Sequence, residues 1–176
     1  MSEPPTRANV RGALERVRVE FADLVERADP EGLARRSNGT RWTNRELLFH
    51  MLFGHLVTRA LRYLFKVITH APRPVQNAFA ATLNAATRPF HLINYWGSRF
   101  GGRTLSPLRM ARWSDRVIAS LQRHLDAEPE SSLRGSMAFP TRWDPYFAAR
   151  MTLLDLYRYT TLHFDHHRRQ LTLDHP

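Results

Sequence analysis

The chain has 176 residues, and its 43% hydrophobic and 24% charged content is typical of a globular protein rather than a disordered one. This length suits one core, so we expect residues 1–176 to form a single domain. The absence of cysteine excludes disulfides, thiolate metal ligands and a cysteine nucleophile. The net charge of +10 would suit nucleic acid, but the basic residues are scattered and form no recognisable binding motif, so we expect no nucleic-acid partner.

The first two predicted helices are marked by regular apolar spacing and by their ends. The first covers about residues 9–28, where apolar side chains recur at three- and four-residue steps until Asp29-Pro30. The second follows a capping box, in which Thr43 and Glu46 can satisfy each other's backbone N–H groups, and continues to about Thr69.

A helical wheel separates the two histidines of this second helix. His50 falls on the apolar stripe, whereas His55 falls on the charged face with Arg59 and Arg62. Gly54 lies one turn after His50. It either leaves room beside a site or allows close packing of two helices.

Residues 70–104 carry weaker signals. A short helix is compatible with residues 74–86. The following segment, RPFHLINYWGSRFGGR at 88–103, is rich in aromatic residues, arginine and glycine, which predicts an irregular excursion. Its aromatic side chains among arginines would also suit a contact with a second subunit or a membrane surface; they are Phe90, Tyr95, Trp96 and Phe100.

Two further helices are predicted from their N-terminal signals. Ser106 as the N-cap and Pro107 in the first turn begin the third long helix. Asp144 and Pro145 repeat this arrangement and predict a last helix that runs to about Leu171. The expected core face of the third helix carries Leu108, Trp113, Val117, Leu121 and Leu125. Four amphipathic helices without a strand signal predict an all-α four-helix bundle with an irregular insertion at residues 70–104.

Three of the nine histidines lie on helix faces whose other residues are apolar and expected in the core. His163 and His167 are one turn apart on one face of the last helix, a spacing suited to adjacent positions on a metal. His50 can supply the third nitrogen, and three neutral ligands leave positions open for water or substrate. Two other interpretations stay open. His50 could be a hydrogen-bonded core residue, and HFDHHRRQ at 163–170 could be a solvated helix end.

Two segments resemble the DinB-like superfamily of metalloproteins. They are RWTNRELLFHML at 41–52 and LDLYRYTTLHFDHHRRQL at 154–171. The resemblance implies a four-helix bundle with one metal-binding histidine on the second helix and a His-x3-His pair on the last. It therefore assigns His50, His163 and His167 as ligands of a divalent metal, which could be zinc, nickel, iron or manganese. Trp42 and Gln170 also match positions typical of the family.

Characterised members of this family include transferases and isomerases that use bacillithiol or mycothiol, with the metal stabilising the thiolate. The resemblance thus implies a thiol S-transferase acting on small electrophiles, and a chain without cysteine would need such a thiol cofactor. An arginine-rich, lysine-poor composition is typical of GC-rich bacteria, which favours mycothiol. Arg158 and Gln170 are the candidate cofactor-binding residues, and Gln170 could instead orient a ligand imidazole. No catalytic residue is assigned.

Two alternatives to an enzyme of this kind remain. One is a non-catalytic metal-binding protein with a stress-related role, and the other is a homodimer or membrane contact formed by the middle segment. The N-terminal segment lacks the apolar stretch of a signal peptide, and basic residues and histidines interrupt the most apolar region, 47–68. We therefore expect no transmembrane segment and a cytoplasmic location.

Overall fold

Helices make up most of the computed structural model, which describes residues 5–173. This agrees with the predicted all-α class. In chain order the elements are α1 (Arg7–Arg27), α2 (Pro30–Ala34), α3 (Asn44–Ile68), α4 (Arg73–Ala85), α5 (Thr87–Thr104), α6 (Pro107–Ala127), α7 (Glu130–Arg134), β1 (Ser136–Ala138), β2 (Arg150–Thr152) and α8 (Leu153–Arg168). No helix within the described range combines the length and the hydropathy that a membrane span requires.

The core lies between four helices, α1, α3, α6 and α8. Helix α1 packs against α6 and α8, while α3 packs against α5, α6 and α8. Each of these four helices contributes side chains with no exposed surface, among them Phe21, Met51, Ile118 and Phe164. Complete burial of one such side chain stabilises the fold by about 1.5–3 kcal/mol. This packing fixes the positions of α3 and α8, which carry the three candidate histidines.

The predicted N-termini of α3 and α6 are confirmed. The Thr43 hydroxyl accepts from the backbone N–H of Glu46, and the Glu46 carboxylate accepts from the backbone N–H of Thr43. Ser106 caps α6, with Pro107 in its first turn. The predicted core face of α6 is partly wrong, since Leu108 is 65% and Trp113 is 45% exposed. Its buried face is instead formed by Met110, Ser114, Val117, Ile118, Leu121, Gln122 and Leu125.

The predicted start of the last helix at Asp144 is wrong. Helix α8 begins at Leu153, after a capping box between Thr152 and Asp155. Strands β1 and β2 precede it and pair antiparallel, with Met137 opposite Met151, although no strand was predicted. Asp144 instead accepts from the backbone N–H of Tyr146, which forms a turn between the strands.

The irregular excursion predicted at residues 88–103 is also wrong, because this segment is helix α5. The short helix predicted just before it is confirmed as α4. Helix α5 lies against α3 and buries its small residues Ser98, Gly101 and Gly102. The opposite side of α5 is exposed and apolar, with Leu92, Ile93, Trp96 and Phe100.

The aromatic residues of α5 therefore divide into two groups. Phe90 stacks on Trp143, with ring centroids 4.1 Å apart, and Tyr95 stacks on Trp42 at 6.1 Å. Trp96 and Phe100 are 58% and 72% exposed. The predicted aromatic contact surface thus retains only half of its four aromatic residues.

Candidate metal centre

Helices α3 and α8 bring the three predicted histidines together. The ring centroid of His50 lies 5.0 Å from that of His163 and 4.5 Å from that of His167. The two rings of α8 are 4.5 Å apart. One nitrogen from each ring lies within 4.8 Å of the other two, and within residues 5–173 no other group of three histidine or acidic side chains is close enough to share a metal. We call these three residues the histidine cluster.

Hydrogen bonds orient two of the three rings. Nδ1 of His167 lies 2.7 Å from Oε1 of Gln170, and Nδ1 of His50 lies 3.2 Å from Oγ of Ser98. An amide oxygen only accepts, so Nδ1 of His167 donates and its Nε2 keeps a lone pair. The Nε2 atoms of His50 and His167 face each other at 3.1 Å. Where Nδ1 of His50 donates to Ser98, both Nε2 atoms carry lone pairs that point at the same place, an arrangement that a cation between them stabilises. Where the Ser98 hydroxyl donates instead, Nε2 of His50 can donate to Nε2 of His167.

The third ring, that of His163, packs directly against a glycine. A Cβ atom at Gly54 would lie 2.5 Å from Cε1 and Nδ1 of this ring, so any larger residue would displace it. Nδ1 of His163 is buried and has no hydrogen-bond partner among the described residues. Buried polar atoms normally have a partner. The His163 imidazole therefore has a nitrogen whose partner is not supplied by the described residues.

Burial keeps the imidazoles of the cluster neutral. It lowers the pKa of His50 and of His163 well below the ordinary value, and the neighbouring imidazoles lower both further. Burial also lowers the pKa of His167 to about 4. Neutral imidazole is the form that coordinates metal ions. At neutral pH the cluster can therefore bind a cation without first losing protons.

A small cavity lies beside His50 and His163. Its water-accessible space is about 40 Å³, which holds about three water molecules. Asp144 is the one acidic residue in the lining, and its carboxylate accepts from the hydroxyl of Tyr159 at 2.9 Å. The remaining lining residues are Phe53, Gly54, Val57, Phe90, Asn94, Trp143 and Phe147. This lining combines apolar walls with a few polar groups, as ligand sites do.

The other sequence-predicted residues lie at different distances from this cavity. Gln170 contacts His167, and its assignment as a cofactor-binding residue stays a prediction. Arg158 is on α8 but is not among the cavity-lining residues, so its role stays a prediction. Trp42 stacks on His50, with ring centroids 4.4 Å apart. His55, assigned from the wheel to the charged face, is completely buried, and its Nδ1 lies 3.2 Å from Oγ of Ser114.

Sequence reasoning missed Ser98, Asn94 and Asp144. The first two lie one turn apart on α5, and Asp144 lies in the segment that joins β1 to β2. A helical reading of 88–103 would have placed Asn94, Ser98 and Gly101 on one face, which is the signal that could have found them. Asp144 carried no such signal, because the same Asp-Pro pair is typical of a helix start.

The sequence matches the model of a known protein family. The model of the DinB superfamily matches residues 13–171, a range that includes α3, α8 and all three histidines. No curated protein and no solved structure matches the chain significantly. The family model covers most of the sequence, and the chain therefore belongs to the DinB superfamily.

Proposed function

We propose that this protein is a metal-dependent enzyme in which His50, His163 and His167 hold a divalent ion inside a four-helix bundle of α1, α3, α6 and α8. The observation that carries the proposal is the convergence of the His50 and His167 Nε2 atoms, 3.1 Å apart. Two nitrogen ligands at about 2.05 Å from a tetrahedral ion are about 3.3 Å apart, so the separation suits one shared ion. Zinc, nickel, iron and manganese are all compatible with imidazole ligands.

The proposed reaction transfers a low-molecular-weight thiol, mycothiol or bacillithiol, to a small electrophile. The ion would supply the positive charge that stabilises the thiolate at neutral pH. In such a transfer the S–H bond of the thiol and the bond between the electrophilic carbon and its leaving group would break as the S–C bond forms. The leaving group would depart with its electron pair, and we assign the thiol proton to the Asp144 carboxylate, since Asp144 is the acid of the cavity lining. A cofactor must supply the sulfur, because the sequence contains no cysteine.

Neighbouring side chains would hold the imidazoles ready for this role. Ser98 and Gln170 occupy the Nδ1 atoms of His50 and His167, which directs both Nε2 atoms to the ion. Trp42 covers one face of His50, and the side chain of His50 is buried. These contacts support a preorganised site, in which ligands need little rearrangement on binding.

The size of the cavity favours a second candidate, a non-catalytic metal-binding protein with a stress-related role. A space of about 40 Å³ admits a thiol group or a few waters, but not a whole thiol cofactor. The bulk of such a cofactor would have to lie outside the cavity, and a contact with Arg158 there stays a prediction. A cytoplasmic location and a homodimer also remain predictions.

Metal content of the purified protein tests the proposed site. We expect about one divalent ion per chain in the wild type and less than a tenth of that in His50→Ala, His163→Ala and His167→Ala, because each variant removes one of three ligands. His166→Ala is the matched control, since His166 is a partly exposed neighbour on α8 that bonds with the Tyr146 hydroxyl instead. Equal metal loss in all four variants would contradict the assignment.

A cobalt-substituted sample separates the two candidate functions. Mycothiol or bacillithiol at millimolar concentration should add a sulfur-to-metal charge-transfer band, because a thiolate is a stronger donor than water. A thiol-transfer assay with a generic electrophile should then detect product. An unchanged spectrum with cobalt fully bound would favour the non-catalytic protein.

A further inference from the structure

A second, strongly basic cleft lies near the N-terminal end of α3. It encloses about 420 Å³ and is lined by Arg36, Arg41, Thr43, Glu46, Tyr95, Arg99 and Arg103. We call it the arginine cleft. Four arginines against one glutamate give its lining a formal charge of +3. Its volume lies within the range of about 300–1,000 Å³ that is usual for small-molecule sites.

The single acid of the arginine cleft cannot neutralise its four guanidinium groups. The Glu46 carboxylate already accepts from the N–H of Thr43, and it lies 3.3 Å from Arg103 and 3.6 Å from Arg99. In the described part of the chain, Arg36 and Arg41 have no acidic partner, and Arg36 donates to the backbone carbonyl of Arg41. Like charges gathered on a concave surface repel each other and attract anions.

The surroundings of the cleft reinforce this positive potential. Thr43 caps α3, a helix of 25 residues, so the positive end of the helix dipole points towards the cleft. The Arg99 guanidinium lies 5.6 Å from the centre of the Tyr95 ring and makes a cation–π contact with it. Guanidinium groups pair with carboxylate and phosphate oxygens through two parallel hydrogen bonds.

The geometry points to a binding site for a small polyanion, a compound that carries two or more phosphate or carboxylate groups. This site is separate from the histidine cluster. Trp42 lies between them, because its ring stacks both on His50 and on Tyr95, which lines the cleft. The inference therefore does not depend on the metal, and either could fail without the other.

Titration calorimetry with pyrophosphate and with citrate, at constant ionic strength, tests the site. We expect saturable binding of one anion per chain, and at least about tenfold weaker binding in Arg41→Gln and Arg103→Gln, since each loses a charge-assisted hydrogen bond. Arg59→Gln is the matched control, because Arg59 is exposed on α3 and is not part of the cleft lining. Arg41 is exposed and has no acidic partner among the described residues, so its variant should keep the wild-type melting temperature.

Three results would overturn the proposal. The first is that neither anion binds at a concentration of about 10 mM. The second is that anion binding is weakened equally in all three variants. The third is binding of a single-stranded oligonucleotide that is tighter than that of both small anions and insensitive to Arg41→Gln. Stronger binding of pyrophosphate than of citrate, or the reverse, identifies the preferred oxyanion and supports the site.

Discussion

Gly54 sets how closely α3 can approach the ring of His163. Any Cβ atom at this position would come within 2.5 Å of that ring, well inside the sum of van der Waals radii. Because His163 is buried and lies beside His50 and His167, its ring has little space to retreat without leaving the cluster. Of the two roles considered for Gly54, this contact favours the first, in which the glycine leaves room beside the site.

We expect Gly54→Ala to weaken metal binding by at least about tenfold and to lower the free energy of unfolding by about 1–3 kcal/mol, the usual cost of overpacking. Gly12→Ala is the control, because Gly12 lies in α1 with no neighbouring atom within 4 Å of the new Cβ. That change should be neutral or stabilising, since alanine favours a helix over glycine. Metal titration and urea unfolding measure both effects, and unchanged metal affinity in Gly54→Ala would refute this role.

The sequence predicted the burial of a histidine correctly where the helix face was uniformly apolar, and wrongly where the face contained a buried charged residue. His50 lies on an apolar stripe and is buried as expected. His55 was grouped with Arg62, which seemed to mark a solvated face, yet Arg62 is only 3% exposed and pairs with buried Glu128 at 3.1 Å. A helical wheel assumes that charge marks solvent, and a buried ion pair breaks this assumption.

At the scale of elements, α5 owes its position to small residues on its inner face. A Cβ atom at Gly102 would lie 2.7 Å from the Cα of Glu46, and one at Gly101 would collide with the ring of Phe49. The glycines therefore allow α5 to approach the backbone of α3, and this brings Ser98 to His50. The same glycines suggested an irregular segment in the sequence, because glycine is a weak helix former unless packing requires it.

Gly102→Ala should push α5 away from α3, because a clash with backbone cannot be relieved by rotating a side chain. We expect the free energy of unfolding to fall by about 1–3 kcal/mol, as in other overpacked contacts. Gly97→Ala on the same helix meets no atom within 4 Å and should be neutral or stabilising. Urea unfolding of both variants checks this, and equal stability of the two would mean that the helices do not depend on close contact here.

The observed helix boundaries show which local sequence signals were sufficient to predict where a helix begins. The capping box of α3 and the Ser-Pro start of α6 were readable because each precedes a long amphipathic pattern. Asp144-Pro145 has the same form, but it forms a turn between two strands of three residues each, too short to leave a periodic signal. The true start of α8 carries a capping box of its own, Thr152 with Asp155, which was not identified from the sequence.

On the scale of the whole molecule, several arginines form ion pairs that join helices. Arg16 on α1 pairs with Asp165 on α8 at 2.9 Å, and Arg18 on α1 pairs with Asp115 on α6 at 2.6 Å. Such partly exposed pairs contribute about 0–1 kcal/mol each, so they orient the helices more than they stabilise them. Stability depends instead on the buried interior, which includes several neutral histidines.

The stability of the whole chain should therefore fall in acid, and His55 provides the clearest case. Burial lowers its pKa to about 3, from about 6.5 in an unfolded chain. Between these values the unfolded state binds a proton that the folded state excludes, so the contribution of His55 is complete above about pH 6.5 and decreases as the pH falls towards 3. For one such group, the free energy of unfolding is expected to fall by about 2 kcal/mol between about pH 7 and about pH 5.

Urea unfolding at both pH values measures this effect. The free energy of unfolding should decrease more in the wild type than in His55→Gln, by this amount, because glutamine can still bond to Ser114 but does not titrate. The other buried histidines are present in both proteins and cancel in this difference. Equal decreases would mean that His55 takes up its proton as readily in the folded protein as in the unfolded one.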